Sequence, residues 1–444
     1  MKKKVLSLLL CTAMAVSSLV GCGGTDAAPQ TEPSKDAEVT TDATADATTE
    51  KIVLDIYAQY ADDDTKVPYD YAVEQLATAY PNVELNLIVQ AQDDGVTLKT
   101  MASTGQLPDI FQANTDIINT LKATNQVMVL NDVADKTGFS DRLFDSCESL
   151  AYDADGNMYV FPYAGDEYVL WYYNKALFAE NNLEVPTTYD ELLNCIKVFN
   201  DNGIVPLAIF GQEGWISAAM YDAVATRYAA GGIKALDTQA ASITEDGYVK
   251  AANKLAELTA AGLFQTGATT TNYDQASELF LSGKAAMFLN GQWYIEDATK
   301  GLGENVDWMF YPAEDAASYE AGKAVLAGGG STSGYAVNPD SENAELAAEV
   351  AAFISEKYCE AKVLYRHNPL VAVDTGKKSE DLPAMMQKLS ETIPSLTGTT
   401  KFTWGLTNAI FNEGLQTEAQ GLISGQFSAE EFLQNMEDVQ NNMN

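Results

Sequence analysis

The sequence predicts an α/β protein built as two lobes. Short runs of alternating apolar and polar residues, which read as strands, interleave with stretches whose apolar residues recur at helical spacing. Strand, helix and strand follow one another from residue 51 onward, which is the building unit of an α/β sheet. Residues 51–444 are also too many for one hydrophobic core and suit two.

The chain opens with Lys2, Lys3 and Lys4, a positive segment ahead of an apolar stretch at 5–20. That stretch has the length of a secretory signal and is too short to span a bilayer comfortably. It ends in Leu19-Val20-Gly21-Cys22, which resembles a bacterial lipobox. Residues 1–21 are therefore expected to be a lipoprotein signal peptide, and Cys22 the acylated new N-terminus. One acyl chain binds a membrane only marginally, so the anchor needs two. Residues 22–50 are rich in Thr, Ala and Asp with Pro29 and Pro33. They hold too little apolar surface to offset the entropy of ordering, and are expected to form a disordered tether. The expected location is the extracytoplasmic face of a cell membrane, held by lipid alone.

Composition narrows the partners. The hydrophobic fraction of 46% is ordinary for a folded chain. The 63 acidic residues against 26 basic ones repel nucleic-acid phosphates and an anionic bilayer surface. After Cys11 leaves with the signal and Cys22 is acylated, Cys147, Cys195 and Cys359 remain. Three widely spaced cysteines give neither a disulfide framework nor a metal site, and they read as small core residues. His367 is the one histidine, which argues against a His-dependent triad and a multi-His metal centre. No metal and no cofactor is expected.

The elements follow in order. Residues 51–57 (KIVLDIY) alternate and predict a first strand, with a polar loop expected over 59–66. A helix is expected over 69–80, ending at Pro81, and a strand over 83–89 (VELNLIV). Residues 97–103 read as helix, and 105–111 (GQLPDIF) turn into a short buried strand. Asp155-Gly156 is a hairpin dipeptide. Thr188 followed by Glu191 makes a capping box. Ser282-Gly283 breaks a helix before an apolar strand at 285–289, and 429–442 is a last helix.

Several of these pieces resemble, in the same order, the extracellular solute-binding proteins of ABC importers (family 1, the maltose-binding class). They are Ala79-Tyr80-Pro81-Asn82-Val83-Glu84-Leu85, the 105–111 segment and Asp155-Gly156-Asn157-Met158-Tyr159-Val160-Phe161-Pro162-Tyr163. The series continues with 170–178 (LWYYNKALF), 185–192 (VPTTYDEL), 280–287 (FLSGKAAM), Asn290-Gly291-Gln292-Trp293 and Gly328-Gly329-Gly330-Ser331. The resemblance implies a two-lobed fold of the type II periplasmic-binding class, with three hinge crossovers near 164–168, 310–313 and 357–371. The first lobe would hold 51–165 and 312–360, the second 166–311 and 361–444. It further implies a monomeric receptor without enzymatic activity that takes a carbohydrate, an oligosaccharide in expectation, into the cleft and delivers it to permease subunits.

A sugar site has a chemical signature. The apolar C–H face of a pyranose packs on a flat indole or phenol, while carboxylates and amides bond the hydroxyls around its edge. The resemblance places Trp215, Trp293 and Trp404 at the ligand, with Trp293 as a stacking wall. Trp171 and Trp308 read as structural. Candidate hydroxyl partners are Asp116, Asn114, and one of Asp166 and Glu167. Tyr60 and Asp62 follow the first strand, where ligand loops of such a sheet belong. Gly329 and Ser331 sit where backbone approaches ligand or the other lobe. Ala113 stands where the family carries a further stacking Trp. Asp153-Ala154-Asp155-Gly156-Asn157 lacks the glycine and glutamate positions of a calcium loop. Two other readings stay open: a receptor of the same fold for a non-sugar solute, and a secreted glycosidase with two carboxylates across a bond.

Overall fold

The computed structural model describes residues 51–93 and 95–443. The expected signal peptide, Cys22 and the tether lie outside the described residues. Among the described residues no helix is long and apolar enough to cross a membrane.

The strands in chain order are β1 (Ile52–Ala58), β2 (Val83–Val89), β3 (Ile110–Asn114), β4 (Phe161–Pro162), β5 (Val169–Asn174) and β6 (Val205–Ala208). They continue as β7 (Ala285–Gly291), β8 (Val306–Met309), β9 (Val325–Leu326), β10 (Ser333–Val337) and β11 (Gly398–Thr399). One sheet has the order β2-β1-β3-β10-β4 and a second has β6-β7-β5-β8. A small parallel pair, β11-β9, stands apart. In the first sheet β1 runs parallel to β2 and β3, and β10 runs antiparallel to β3 and β4. In the second, β6 and β7 are parallel while β5 opposes β7 and β8.

The burial of each strand follows its place. β2 lies at the edge and alternates, ending in Val89, which is exposed. β5 and β7 are buried at every residue, which is why VLWYYN and AAMFLNG are apolar on both faces. The helices Gly214–Ala225, Asp246–Ala260 and Ala409–Ile423 pack together over the second core. Trp171 and Trp308 lie inside that core, as the sequence indicates. Cys147, Cys195 and Cys359 are buried and free.

The first helix begins earlier than expected. It spans Asp63–Ala79, so half of the anticipated polar loop at 59–66 is helical. Asp62 caps it, its side chain accepting from the Thr65 N–H while Thr65 bonds back, so a loop-like Asp-rich stretch becomes a first turn. Pro68 sits inside this helix and supplies no N–H to the Asp64 carbonyl. The Tyr358 hydroxyl, from the helix Ala344–Tyr365, donates to that carbonyl at 3.4 Å instead. The hairpin and the 188–191 capping box form as read: Gly156 has φ 78°, and Thr188 and Glu191 bond reciprocally. Asp153 pairs with Lys122 and accepts the N–H groups of Asp155 and Asn157, so its oxygens serve the turn.

The chain changes lobe later than the resemblance implies. Ala313 donates to the Thr187 carbonyl and accepts from Tyr189, so 310–313 stays with the second lobe. Leu326 and Ala327 still pack in the second core, and Tyr335 is the first large residue back in the first. The return therefore runs through 328–333, not 312. Residues 357–365, expected as a crossing, lie within the helix Ala344–Tyr365. Val371 and Val373 remain in the first core, and Met385 is in the second, so the last departure follows Val373 rather than residue 360.

Gly334 is held by closeness. A Cβ there would stand 2.2 Å from the Phe161 carbonyl oxygen, in the antiparallel step between β10 and β4. Gly334→Ala is expected to destabilise the protein by about 1–3 kcal/mol or more, because the opposing atom is backbone. A urea melt should show a lower midpoint with an unchanged slope.

Candidate functional site

Three tryptophans converge. Trp215 enters at the start of the helix Gly214–Ala225, Trp293 in the turn Gln292–Tyr294 after β7, and Trp404 in the turn Thr403–Gly405. Their ring centroids are 5.3 Å (215 to 404), 5.8 Å (215 to 293) and 6.1 Å (293 to 404) apart. Each is half-buried. Behind them Phe402 is buried and stacks on Trp404 at 4.4 Å with the planes 6° apart. Trp293 folds back over Gly291, where a Cβ would come within 2.2 Å of the indole ring. The Trp215 indole N–H donates to Glu213 at 2.9 Å. The result is one packed aromatic wall, entirely on the second lobe. Rings this close touch one another and leave no cage between them for a cation.

The first lobe meets that wall through the helix Thr115–Ala123, which rests against the turn Thr403–Gly405. Asn114 caps this helix, its side-chain oxygen accepting from the Ile117 N–H at 3.1 Å. Asp116, in the first turn, is paired with Lys99 at 2.5 Å. Ser331 is nearly buried against Gly405, where a Cβ would lie 2.8 Å from its own.

The two acids of the first crossing part company. Asp166 is exposed and its Oδ1 accepts the Gly330 N–H at 2.8 Å, so it serves the crossing. Glu167 is half-buried, and burial first of all pushes its carboxyl up to about 7. Asp64 and Asp166 push the same way, while Lys362 and the Trp404 indole N–H oppose them. Gly329, with φ 142°, donates its N–H to the Glu167 carbonyl at 2.7 Å.

The predicted residues therefore divide. Trp215, Trp293, Trp404 and Glu167 share one locus, with Ser331 and the Asn114–Asp116 turn bordering it. Tyr60 instead donates its hydroxyl to Asp70 of the helix that follows it, at 3.0 Å and 3.2 Å. Asp62 serves as a helix cap, though its charge still reaches Tyr273 of the second lobe. Gly329 acts through backbone packing, since a Cβ there would meet the Thr400 carbonyl at 2.7 Å. Sequence reasoning missed Phe402, Lys362 and Asp64. A Phe between Lys401 and Thr403 carries no periodic signal, and Asp64 and Lys362 are 298 residues apart.

The pattern of the bacterial extracellular solute-binding protein family matches residues 62–357. No curated protein matches the sequence. Solved structures similar to this chain include a protein of xylan utilisation from the thermophile Caldanaerobius polysaccharolyticus, 21% identical with a TM-score of 0.77, over 87% of this chain and 99% of that one. A chitin oligosaccharide binding protein is 21% identical with a TM-score of 0.75, over 88% and 98%. The solute receptor AcbH, described as preferring β-D-galactopyranose, is 18% identical with a TM-score of 0.72, over 88% and 97%. At these identities the likeness establishes the fold.

Because the folded Glu167 carboxyl lies near 7 against an ordinary 4.5, the folded state holds its proton through that window. Its contribution to stability is fully present below 4.5 and is lost as pH rises through 7. Glu167→Gln should not show this loss. Melting temperatures of both proteins from pH 4 to 8 should diverge in favour of the variant across this window. Parallel curves would contradict the assignment.

Proposed function

The chain belongs to the bacterial extracellular solute-binding proteins, and from that premise we propose that it captures a carbohydrate between its lobes and hands it to the permease of an ABC importer. The observation that carries the reading is the wall of Trp215, Trp293 and Trp404. A flat, half-exposed aromatic surface suits the C–H face of a sugar ring, and Glu167 and Ser331 beside it suit the hydroxyl edge. The similar structures named for chitin oligosaccharide and galactopyranose support the same class. The compact triangle of rings favours close packing on one or two sugar units at this point, within a ligand of oligosaccharide size.

The reading extends to the N-terminus. Cys22 carries the lipid that holds the receptor at the outer face of the membrane, and residues 23–50 are its tether. The receptor acts as a monomer and releases its sugar uncut.

Thermal-shift screening against xylo-, chito- and galacto-oligosaccharides and their monosaccharides tests the ligand class, since a ligand that binds the folded state raises its melting temperature. Trp293→Ala is expected to weaken the best ligand by about ten- to a hundredfold, as for a buried aromatic anchor. Its stability should fall by less than the roughly 3–5 kcal/mol of a core Trp, because the ring is half-buried. Full affinity with a large stability loss would return Trp293 to the core. Shorter products appearing during incubation, and vanishing with one carboxylate substitution, would make the protein a glycosidase.

Cys22→Ala is expected to move the protein from the detergent phase to the aqueous phase in a partitioning assay without unfolding it. Retention in detergent would remove the lipid from the proposal.

A further inference from the structure

A small ionic network lies where the lobes meet, apart from the aromatic wall. Lys362 and Arg366 stand in the last turn and at the C-cap of the helix Ala344–Tyr365, in the first lobe. Asp64, in the first turn of the helix Asp63–Ala79, accepts from Lys362 Nζ and from Arg366 Nε, the latter at 3.2 Å. Arg366 Nη2 reaches into the second lobe, 3.0 Å from each carboxylate oxygen of Asp297 on the helix Ile295–Leu302. Arg366 is only 2% exposed, while the Asp297 side chain keeps 25% of its surface in water.

The charge balance matters. Within the first lobe the group holds two cations and one anion, a surplus of one positive charge. Asp297 supplies the missing anion from the second lobe. A rotation that carries the helix Ile295–Leu302 away from the helix Ala344–Tyr365 parts Arg366 from Asp297 and returns both to water. Such a pair, partly hydrated at one partner, contributes modestly, which suits an equilibrium that has to reverse.

We propose that Asp297 is a positioning residue for ligand capture. Its hydrogen bonds go to Arg366 and not to a ring of the aromatic wall. By completing the charge balance around Arg366 it biases the lobes toward the arrangement in which the Thr115–Ala123 helix meets Trp404. Affinity then depends on Asp297 through the closed fraction, because a ligand that needs the closed state binds in proportion to its population. The inference rests on the cleft reading above but does not depend on which solute occupies it.

The test uses the full chain without added sugar. Val53 of the first lobe and Ile410 of the second are exposed, and each is replaced by cysteine and spin-labelled. Cys147, Cys195 and Cys359 are buried, and burial raises each thiol, which protects them from the label, while Cys11 and Cys22 are replaced by alanine in the labelled protein. Pulsed electron-resonance distances then report the short-distance and long-distance populations. Asp297→Asn is expected to lower the ratio of short to long about two- to fivefold, as for a partly exposed ion pair. Its melting temperature should change little, because the first-lobe half of the network stays intact. Asp297→Glu should restore the ratio. An unchanged distribution in Asp297→Asn overturns the proposal, as does a wild-type distribution that is already wholly open. Failure of Asp297→Glu to restore the ratio assigns the effect to local packing and overturns it too. Failure of the sugar screen alone would leave this result standing.

Discussion

Residues 166–169 and 327–330 cross between the lobes side by side, and the rest of the molecule is arranged around that crossing. Val169 donates to the Ala327 carbonyl at 2.9 Å and Gly329 to the Glu167 carbonyl at 2.7 Å, with Tyr168 opposite Gly328. A Cβ on Gly328 would lie 2.7 Å from the Glu167 oxygen, and one on Gly330 would lie 2.5 Å from Asp166 Oδ1. At φ 142° Gly329 is in a region that other residues avoid. The glycine run is thus required by proximity, and it makes a narrow, hydrogen-bonded joint. A joint of that kind lets two separate cores move as bodies while keeping their facing surfaces in register. Glu167 emerges from this joint at the foot of the aromatic wall, so the element that allows movement also carries one of the site's acids.

The charges near the cleft are arranged unequally. The protein carries a formal net charge of −37, yet Asp64, Lys362, Arg366 and Asp297 cancel one another within a small volume. Glu167 stands next to this balanced group rather than inside it, and its raised carboxyl reflects burial that the nearby Lys362 only partly offsets. The wall itself is neutral. Electrostatics here serve the geometry of the lobes, and the apolar contact is left to the rings.

What the sequence disclosed and what it hid follow from the range of the interactions. The strands at 52–58 and 83–89 were legible because alternation is a local signal. The helix at 63–79 was read short because Asp62 to Asp64 look like a loop until the reciprocal bond with Thr65 is seen. The lobe boundaries were misplaced because β9 finds its partner in β11, far along the chain, and nothing in Val325–Leu326 announces it. At the candidate site, the family resemblance singled out the three tryptophans that the fold brings together. It could not give their mutual packing, the support from Phe402, or the loss of Tyr60 to Asp70, since each depends on distant segments meeting.

The wall's placement on a single lobe has a consequence for kinetics. If sugar loads on the second lobe, encounter depends on how freely that surface faces solvent, and the first lobe enters afterwards. The association rate would then report the open form, and the residence time would report the joint and its closing contacts. On that reading the solute would remain seated on the tryptophans when the lobes part at the transporter. Translocation would then draw it from an aromatic face, and the grip of those rings would set how much work the importer has to do in the final step of unloading.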